Sequence, residues 1–278
     1  MNKISQTIPL QCDSIFSPFR AAESDAALDF LAKAKFTGVE IAVASPCEID
    51  VDALLKKLDI CNLTATTIST GQAYVADGLY LSSFDTDVRN KAIEIIKGHV
   101  DLSAQIGYPP VTIGLLRGKL EKGEKVKLLE NLRLAIIPCF EYAQKRGVTL
   151  QIEPICQNET ILINTTYEAI EFLELLGNPQ NAGILYDTYH SNIEDDDMVK
   201  AVLAAGKRIT NVHLADSHRG LPGYGGIDFA AVVRALRSVG YNGAYALETL
   251  VTPNKEFINE HCYESVINIE GIIKAGRC

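Results

Sequence analysis

A chain of 278 residues, of which 47% are hydrophobic and 22% are charged, is long enough to bury one large core. Its formal net charge of −9 at pH 7 argues against nucleic acid or an anionic membrane surface as a partner. No run resembles a transmembrane segment, the N-terminal residues lack the apolar core of a secretion signal, and the seven cysteines contain no C-x-x-C pair. We therefore expect a cytoplasmic enzyme with reduced thiols.

The first half of the chain alternates strand-like and helix-like segments. Short apolar or β-branched runs predict strands over residues 8–11, 38–43, 63–69 and 110–115. Apolar positions at helical spacing predict helices over residues 26–35, 50–58, 86–105 and 125–145. The polar stretch from Thr70 to Asp85 is predicted as a long loop over the open end of the fold, and residues 117–124 as a charged loop.

The second half repeats this alternation. Strands are predicted over residues 148–153, 183–187, 209–214 and 244–248, and helices over residues 166–176, 196–205, 229–239 and 257–275. Alternating strand–helix units indicate a parallel sheet. Eight such units suggest closure into a (β/α)₈ barrel, because open doubly wound sheets usually have about five or six strands. With no linker or low-complexity segment, residues 1–278 are predicted to form a single α/β domain, a TIM barrel.

Four predicted strands of the second half end on side chains that can bind a metal ion. These are Glu153, Asp187, His213 and Glu248. Each is separated from the next by about one barrel unit, which is roughly 31 residues in a barrel of about 250. Because catalytic side chains of such barrels lie at the C-terminal strand ends, we expect these four to face one mouth. Three unpaired carboxylates meeting there would repel one another, and a divalent cation is the simplest partner.

The ligand set also indicates the chemistry. Three carboxylates and one imidazole are harder donors than thiolates, so Mn²⁺, Mg²⁺ or Co²⁺ is favoured and Zn²⁺ stays open. Such an ion can hold the carbonyl and neighbouring hydroxyl oxygens of a sugar and stabilise the enediolate formed when the intervening C–H loses its proton. Glu153 and Glu248, three barrel units apart, then suit removal and return of that proton. This chemistry is epimerisation or aldose–ketose isomerisation.

The motifs around these residues resemble the xylose isomerase-like TIM-barrel superfamily of sugar isomerases and epimerases, particularly its ketose 3-epimerase and hydroxypyruvate isomerase-like branch. The matching elements are Glu153-Pro154 with Glu159, Asp187-x-x-His190, His213 with Arg219, Pro222-Gly223-x-Gly225, Asp228 and Glu248. The segment after Glu153-Pro154 departs from the pattern, because these epimerases often carry Asn-Arg where this chain has Cys156, Gln157 and Asn158.

The resemblance implies a role for each matching side chain. It implies that one divalent metal ion is held by Glu153, Asp187, His213 and Glu248. It implies that Glu153 and Glu248 form the acid/base pair, and that substrate hydroxyls or an oxyanion are bound by Glu159, His190 and Arg219. A small-molecule sugar or sugar phosphate is the expected partner, and pairing into a homo-oligomer stays open.

Several residues near these motifs have two interpretations. Asp216 either orients His213 or orders a neighbouring loop, and Glu40 either reaches the pocket or forms an ion pair between strands. The glycine-rich loop at residues 222–226 either cradles a phosphate with its N–H groups or closes over a neutral sugar. Asp228 is predicted to be only the N-cap of the following helix.

Other functions remain on the same scaffold. A metal-dependent dehydratase or lyase would use the same four ligands. A hydrolase related to DNA-repair endonucleases would need further histidines on strands two to four, yet no histidine precedes residue 99 and the net charge is −9. A non-catalytic sugar-binding barrel is disfavoured because the ligands and both glutamates are intact.

Overall fold

A computed structural model describes residues 2–118 and 124–275. Eight parallel strands, each bonded to the next and the last bonded to the first, close into a barrel. They are β1 (Ile4–Pro9), β2 (Gly38–Ala42), β3 (Thr64–Ser69), β4 (Val111–Ile113), β5 (Leu150–Ile152), β6 (Ala182–Asp187), β7 (Ile209–Leu214) and β8 (Ala244–Leu247). The predicted (β/α)₈ barrel is thereby confirmed.

Helices surround this barrel and bury their apolar faces against it. In the described ranges they are α1 (Ser24–Lys33), α2 (Val51–Ile60), α3 (Gly71–Asp77), α4 (Thr86–Gln105), α5 (Lys125–Arg146), α6 (Thr166–Leu175), α7 (Thr188–Glu194), α8 (Met198–Ala205), α9 (Phe229–Ser238) and α10 (Lys255–Ala275). Within the portion of the chain that the structure describes, none of these helices has the length and apolar composition that a membrane crossing needs.

Several predictions differ from the structure. Strand β1 begins at Ile4 rather than at residue 8, because Ser5, Gln6 and Thr7 are buried although they are polar. The predicted loop between Thr70 and Asp85 contains helix α3. Helix α7 was not predicted, since it begins directly after a strand, without the usual intervening loop. Most of the predicted charged loop, residues 119–123, lies outside the described residues.

The barrel interior below the mouth is polar but internally bonded. Gln151 on β5 donates to Thr67 and Thr112, and its carbonyl oxygen accepts from Thr210. Such satisfied contacts offset the cost of burying polar groups. They fill the interior below the mouth with polar groups that have hydrogen-bond partners.

Candidate metal centre

Four side chains converge at the C-terminal mouth of the barrel. Their ligand atoms all lie within 4.8 Å of one another, and the side chains are Glu153, Asp187, His213 and Glu248. From His213 Nδ1, the nearest carboxylate oxygens of Glu153, Glu248 and Asp187 lie at 3.3, 3.4 and 3.7 Å. The four residues stand at the ends of β5 to β8, as the spacing of the strands predicts, and all are buried.

Two atoms in this cluster lack a partner among the described residues. They are Asp187 Oδ2 and His213 Nδ1, which are both buried and lie 3.7 Å apart. An unsatisfied buried polar atom costs about 1–3 kcal/mol, and two such atoms facing each other are unusual. A divalent cation would satisfy both, and the oxygen-rich donor set suits a hard ion. The residues therefore fit a metal ion, and these four would hold it.

Local backbone features aim Asp187 at the centre. The pairing of β6 with β7 shifts register between Ile184 and Leu185, and such bulges re-aim side chains next to active sites. Asp187 Oδ1 caps helix α7 by accepting from the N–H groups of Tyr189 and His190 at 2.7 and 3.2 Å. The N-cap therefore fixes one oxygen and leaves the other, Oδ2, facing the cluster.

The two glutamates of the cluster have different proton affinities. Burial raises the pKa of Glu153 to about 7, although the neighbouring His213 opposes this shift. Burial also acts on Glu248, but the charges of His213 and Arg219 outweigh it, and the pKa of Glu248 is lowered. Arg219 Nη2 donates to Glu248 Oε2 at 3.1 Å. Two carboxyl groups whose pKa values are pushed apart are typical of an acid/base pair.

His213 is the positive member of the cluster when no cation is bound. Burial lowers the pKa of its imidazole, but Glu40 and Glu248 outweigh burial and hold the pKa well above its usual value. A proton on His213 therefore balances part of the negative charge of the carboxylates. A metal ion must displace this proton, because only the neutral imidazole can be a ligand.

We expect metal affinity to rise with pH around neutrality. His213 and Glu153 hold protons that an incoming cation must displace, so acid competes with the metal. Around pH 7, where Glu153 titrates, affinity should increase by up to about tenfold per pH unit for each proton displaced. Calorimetry in buffers of different ionisation enthalpy measures the protons released, and His213→Gln should release fewer. Equal affinity at pH 6 and pH 8 without proton release would contradict this expectation.

The three side chains that the resemblance assigns to substrate lie beside the cluster. Arg219 Nη1 donates to Glu159 Oε1 at 2.7 Å, and Arg219 Nη2 lies 3.3 Å from His190 Nε2. His190 Nδ1 accepts the N–H of Cys156 at 3.2 Å. Burial lowers the pKa of His190 and keeps the ring neutral. Arg219 offers hydrogen-bond donors, and Glu159 offers acceptors, to the carbonyl and hydroxyl groups of a ligand.

Aromatic rings hold the Arg219 guanidinium in place. The ring of Phe16 lies 4.2 Å from it and the ring of Tyr189 lies 4.9 Å from it. Stacking of this kind fixes the plane of a guanidinium that would otherwise rotate. Arg219 also contacts Glu248 of the main cluster and two members of a second group of potential ligands, which consists of Cys156, Glu159 and His190. Its positive charge beside Glu159 disfavours a second cation there.

Asp216 orders the glycine-rich loop. Its carboxylate accepts from the N–H groups of Ser217, Gly223, Gly225 and Ile227. A Cβ atom at residue 225 would collide with this carboxylate, so glycine is required there. Of the two interpretations of Asp216, the loop role is therefore the one that the contacts support. The same N–H groups already have an acceptor within the protein, which disfavours the phosphate cradle.

The cluster opens into a cavity of about 360 Å³, a volume typical of small-molecule sites. Its lining combines charged side chains of the cluster with the apolar side chains of Ile15, Phe16, Val75 and Leu115. The segment between Thr70 and Asp85 lies at this mouth as predicted, because Gly71, Gln72 and Val75 of helix α3 are also part of the wall.

The sequence alone does not decide the role of Glu40, which is a neighbour of the centre. Glu40 is fully buried, and its Oε2 lies 2.8 Å from Nε2 of His213. The signal in the sequence is a glutamate inside the otherwise apolar run Gly-Val-Glu-Ile-Ala.

Asp228 has the simpler role predicted for it, since its side chain caps helix α9 by accepting from the N–H of Ala231.

This geometry defines a (β/α)₈ barrel with a buried cluster of three carboxylates and one imidazole at its C-terminal mouth. A family model described as the xylose isomerase-like TIM barrel matches residues 28–262, and the chain belongs to that family.

Several epimerases are similar to this chain. The L-ribulose 3-epimerase of Methylomonas sp. (strain DH-1) is 32% identical over 231 residues, which are 82% of this chain and 79% of that protein. The ketose 3-epimerase of Arthrobacter globiformis is 31% identical over 220 residues, 78% of this chain and 74% of that protein. The crystal structure of D-allulose 3-epimerase from Methylomonas sp. in complex with D-allulose has a TM-score of 0.78 at 27% identity, covering 95% of this chain and 90% of that one. The resemblance to the ketose 3-epimerase branch is thereby confirmed.

Proposed function

We propose that this protein is a divalent-metal-dependent sugar epimerase that inverts the carbon next to the carbonyl of a free ketose. The observation that carries the proposal is the pair of buried glutamates, Glu153 and Glu248, which meet around one point with Asp187 and His213. The relatives, an L-ribulose 3-epimerase and a ketose 3-epimerase, suggest the substrate class.

Epimerisation needs one proton to leave from one face of a carbon and another to arrive on the opposite face. Glu153 follows β5 and Glu248 follows β8, so the two carboxyl groups approach the cavity from different sides of the mouth. Arg219 favours the ionised form of Glu248, which suits it to accept a proton. Burial favours the protonated form of Glu153, which suits it to donate one. In the reverse direction the two groups exchange roles.

A bound Mn²⁺, Mg²⁺ or Co²⁺ would supply Lewis acidity, which lowers the cost of negative charge on the substrate oxygens. The protein's own contribution is orientation. Arg219, Glu159 and His190 lie on one wall of the cavity and present charged or hydrogen-bonding groups to hydroxyl and carbonyl oxygens. The walls exclude water from the carboxylates, which strengthens each of these contacts.

The substrate is proposed to be unphosphorylated. The glycine-rich loop is the segment whose composition suits phosphate, but the N–H groups of Gly223, Gly225 and Ile227 donate to Asp216 and that of Gly226 donates to Ser217. A phosphate would have to displace these internal bonds and would also meet the negative charge of Asp216. A neutral sugar meets neither obstacle.

Incubation with ketoses in D₂O tests this proposal. We expect deuterium at the carbon next to the carbonyl of the epimeric product, and a kcat/KM for the free ketose at least about tenfold above that for its phosphate ester. The tenfold value corresponds to about 1.4 kcal/mol, the low end of the cost of a lost hydrogen bond to a charged group. Mass spectrometry of the product measures deuterium incorporation, and NMR measures the rate at which each substrate is converted. Loss of water from the substrate would instead identify a dehydratase, and a failure to incorporate deuterium from any ketose would overturn the proposal.

A further inference from the structure

Glu40 is a carboxylate with no place in the reaction described so far. It is fully buried in the middle of strand β2. Its Oε2 lies 2.8 Å from His213 Nε2, and its Oε1 accepts the hydroxyl of Thr7 at 3.1 Å. Both oxygens therefore have a partner, and one of these partners is a member of the four-residue cluster.

The contact between Glu40 and His213 crosses the barrel. Strands β2 and β7 are not neighbours, since β8 and β1 lie between them. The pairing of β2 with β3 shifts register between Val39 and Glu40. A bulge changes the direction in which a side chain points, and this one lies at the residue that reaches across the interior. The backbone is therefore locally irregular where the contact requires it.

We propose that Glu40 is a positioning residue of the metal centre. By accepting the Nε2–H of His213, it fixes the tautomer in which Nδ1 carries the lone pair, and it orients that lone pair toward the three cluster carboxylates. A carboxylate behind a ligating imidazole also makes the imidazole a stronger ligand. The inference rests on the metal centre of the proposed function but not on the identity of the sugar.

A purely structural role explains the same residue less well. Burying a carboxylate is costly even when it is paired, and an apolar side chain of similar volume often stabilises a core equally well. The hydrogen bond from Thr7 alone does not explain why a charged side chain is buried at position 40. His213 Nδ1 has no hydrogen-bond partner among the described residues. The orientation of the ring toward the centre therefore depends on what Nε2 binds.

Metal affinity tests the proposal without any sugar. Glu40→Gln keeps a hydrogen-bond acceptor for His213 but loses the charge, whereas Glu40→Leu loses both. Loss of such a partner typically weakens metal binding about 10–100-fold, so we expect about tenfold for Glu40→Gln and about 100-fold for Glu40→Leu in Mn²⁺ titrations followed by EPR. Thr112→Val is the matched control. It removes another buried polar group of the barrel interior, one that bonds to Thr67 and Gln151, and it should leave Mn²⁺ affinity unchanged.

Two further readouts separate positioning from a general loss of structure. In the Co²⁺-loaded protein, the exchangeable Nε2–H of His213 should give a shifted proton NMR signal, which Glu40→Gln retains and Glu40→Leu loses to exchange with water. In a His213→Gln background, Glu40→Leu should cause no further loss of affinity, because the two residues act as a unit.

Wild-type affinity in Glu40→Leu, a loss no greater than that of Thr112→Val, or additive losses in the double variant would each overturn the role of Glu40. If the wild-type protein binds Mn²⁺ but epimerises no ketose, the proposed function fails while the inference about Glu40 stands. If the wild-type protein binds no divalent ion, the metal centre and the inference fall together.

Discussion

Glu248→Gln and Glu153→Gln should each lower kcat for epimerisation by about 10²–10⁴-fold, the range expected for loss of one general acid or base. Glutamine has nearly the same shape as glutamate but cannot take up or release the proton. The loss should be larger for Glu248→Gln, because that substitution also leaves Arg219 without its buried carboxylate partner. Glutamine at position 153 resembles the protonated carboxyl group that burial favours there.

Isotope exchange can assign each glutamate to one face of the substrate. A variant that lacks one glutamate still has the other, which can remove and return a proton on its own side of the carbon. Each variant should therefore exchange deuterium into one epimer of the substrate without producing the other epimer. The two variants should differ in which epimer they label. Mn²⁺ titration of the same proteins shows how much of the loss in kcat comes from weaker metal binding.

The matched control for both variants is Glu130→Gln. Glu130 is an exposed carboxylate on helix α5 that pairs with Arg133, so kcat should stay at the wild-type value. An acid/base role for Glu153 or Glu248 would be refuted if the glutamine variant, loaded with metal, kept more than a tenth of wild-type kcat. It would also be refuted if both variants labelled the same epimer.

The sequence predicts that four side chains converge, because the signal for each of them is local. Glu153, Asp187, His213 and Glu248 each follow a short apolar run, and barrel geometry alone brings such positions to one mouth. The bounds of helix α4, Thr86–Gln105, are also predicted correctly, since Asp85 caps its N-terminus and an apolar stripe marks its buried face.

Contacts made across the barrel cannot be read from local pattern. Glu40 and His213 are 173 residues apart, and only closure of the barrel brings them together. A search for apolar runs predicts that strand β1 begins too far along the chain. It omits Ser5, Gln6 and Thr7, because these residues are polar although they are buried. The predicted charged loop starts at Arg117, but this residue is the last one of a short 3-10 helix, Leu115–Arg117, and its side chain is fully buried.

Arg117 also shows why charge is a poor guide to exposure in this fold. Its guanidinium donates to the carbonyl oxygens of Leu162, Ile163 and Gly114. It therefore ties the end of β4 to the segment that follows β5, which carries Glu159. Burial lowers the pKa of Arg117 to about 10, so the side chain stays charged near neutral pH. Because every residue has a backbone carbonyl group, the sequence does not show which of them will accept hydrogen bonds from Arg117.

Removal of the metal ion should abolish epimerisation without unfolding the protein. Lewis-acid stabilisation supplies several kcal/mol to reactions of this type, and each 1.36 kcal/mol is a factor of ten, so kcat should fall by about 10³-fold or more. The chain itself holds the cluster together after chelation. His213 carries a proton among the carboxylates, and Arg219 pairs with Glu248. Activity should therefore return when Mn²⁺, Mg²⁺ or Co²⁺ is added back.

Stability gives a second measure that does not depend on the substrate. An ion that binds only the folded state at 100 times its Kd stabilises that state by about 2.7 kcal/mol. For a chain of this size, such a gain raises Tm by roughly 5 °C. The informative variant is Asp187→Asn, because asparagine keeps an oxygen for the cap of helix α7 but presents an amide N–H₂ to the centre.

Asp187→Asn should therefore resemble the chelated wild-type protein in Tm, and added Mn²⁺ should not raise its Tm. Full activity in wild-type protein that elemental analysis finds free of divalent ions would refute metal dependence. An equal rise in Tm for Asp187→Asn and wild type would place the ion elsewhere. The variant is informative because Asp187 Oδ2 is buried without a hydrogen-bond partner among the described residues, and only the imidazoles of His213 and His190 lie near it, at 3.7 and 3.9 Å.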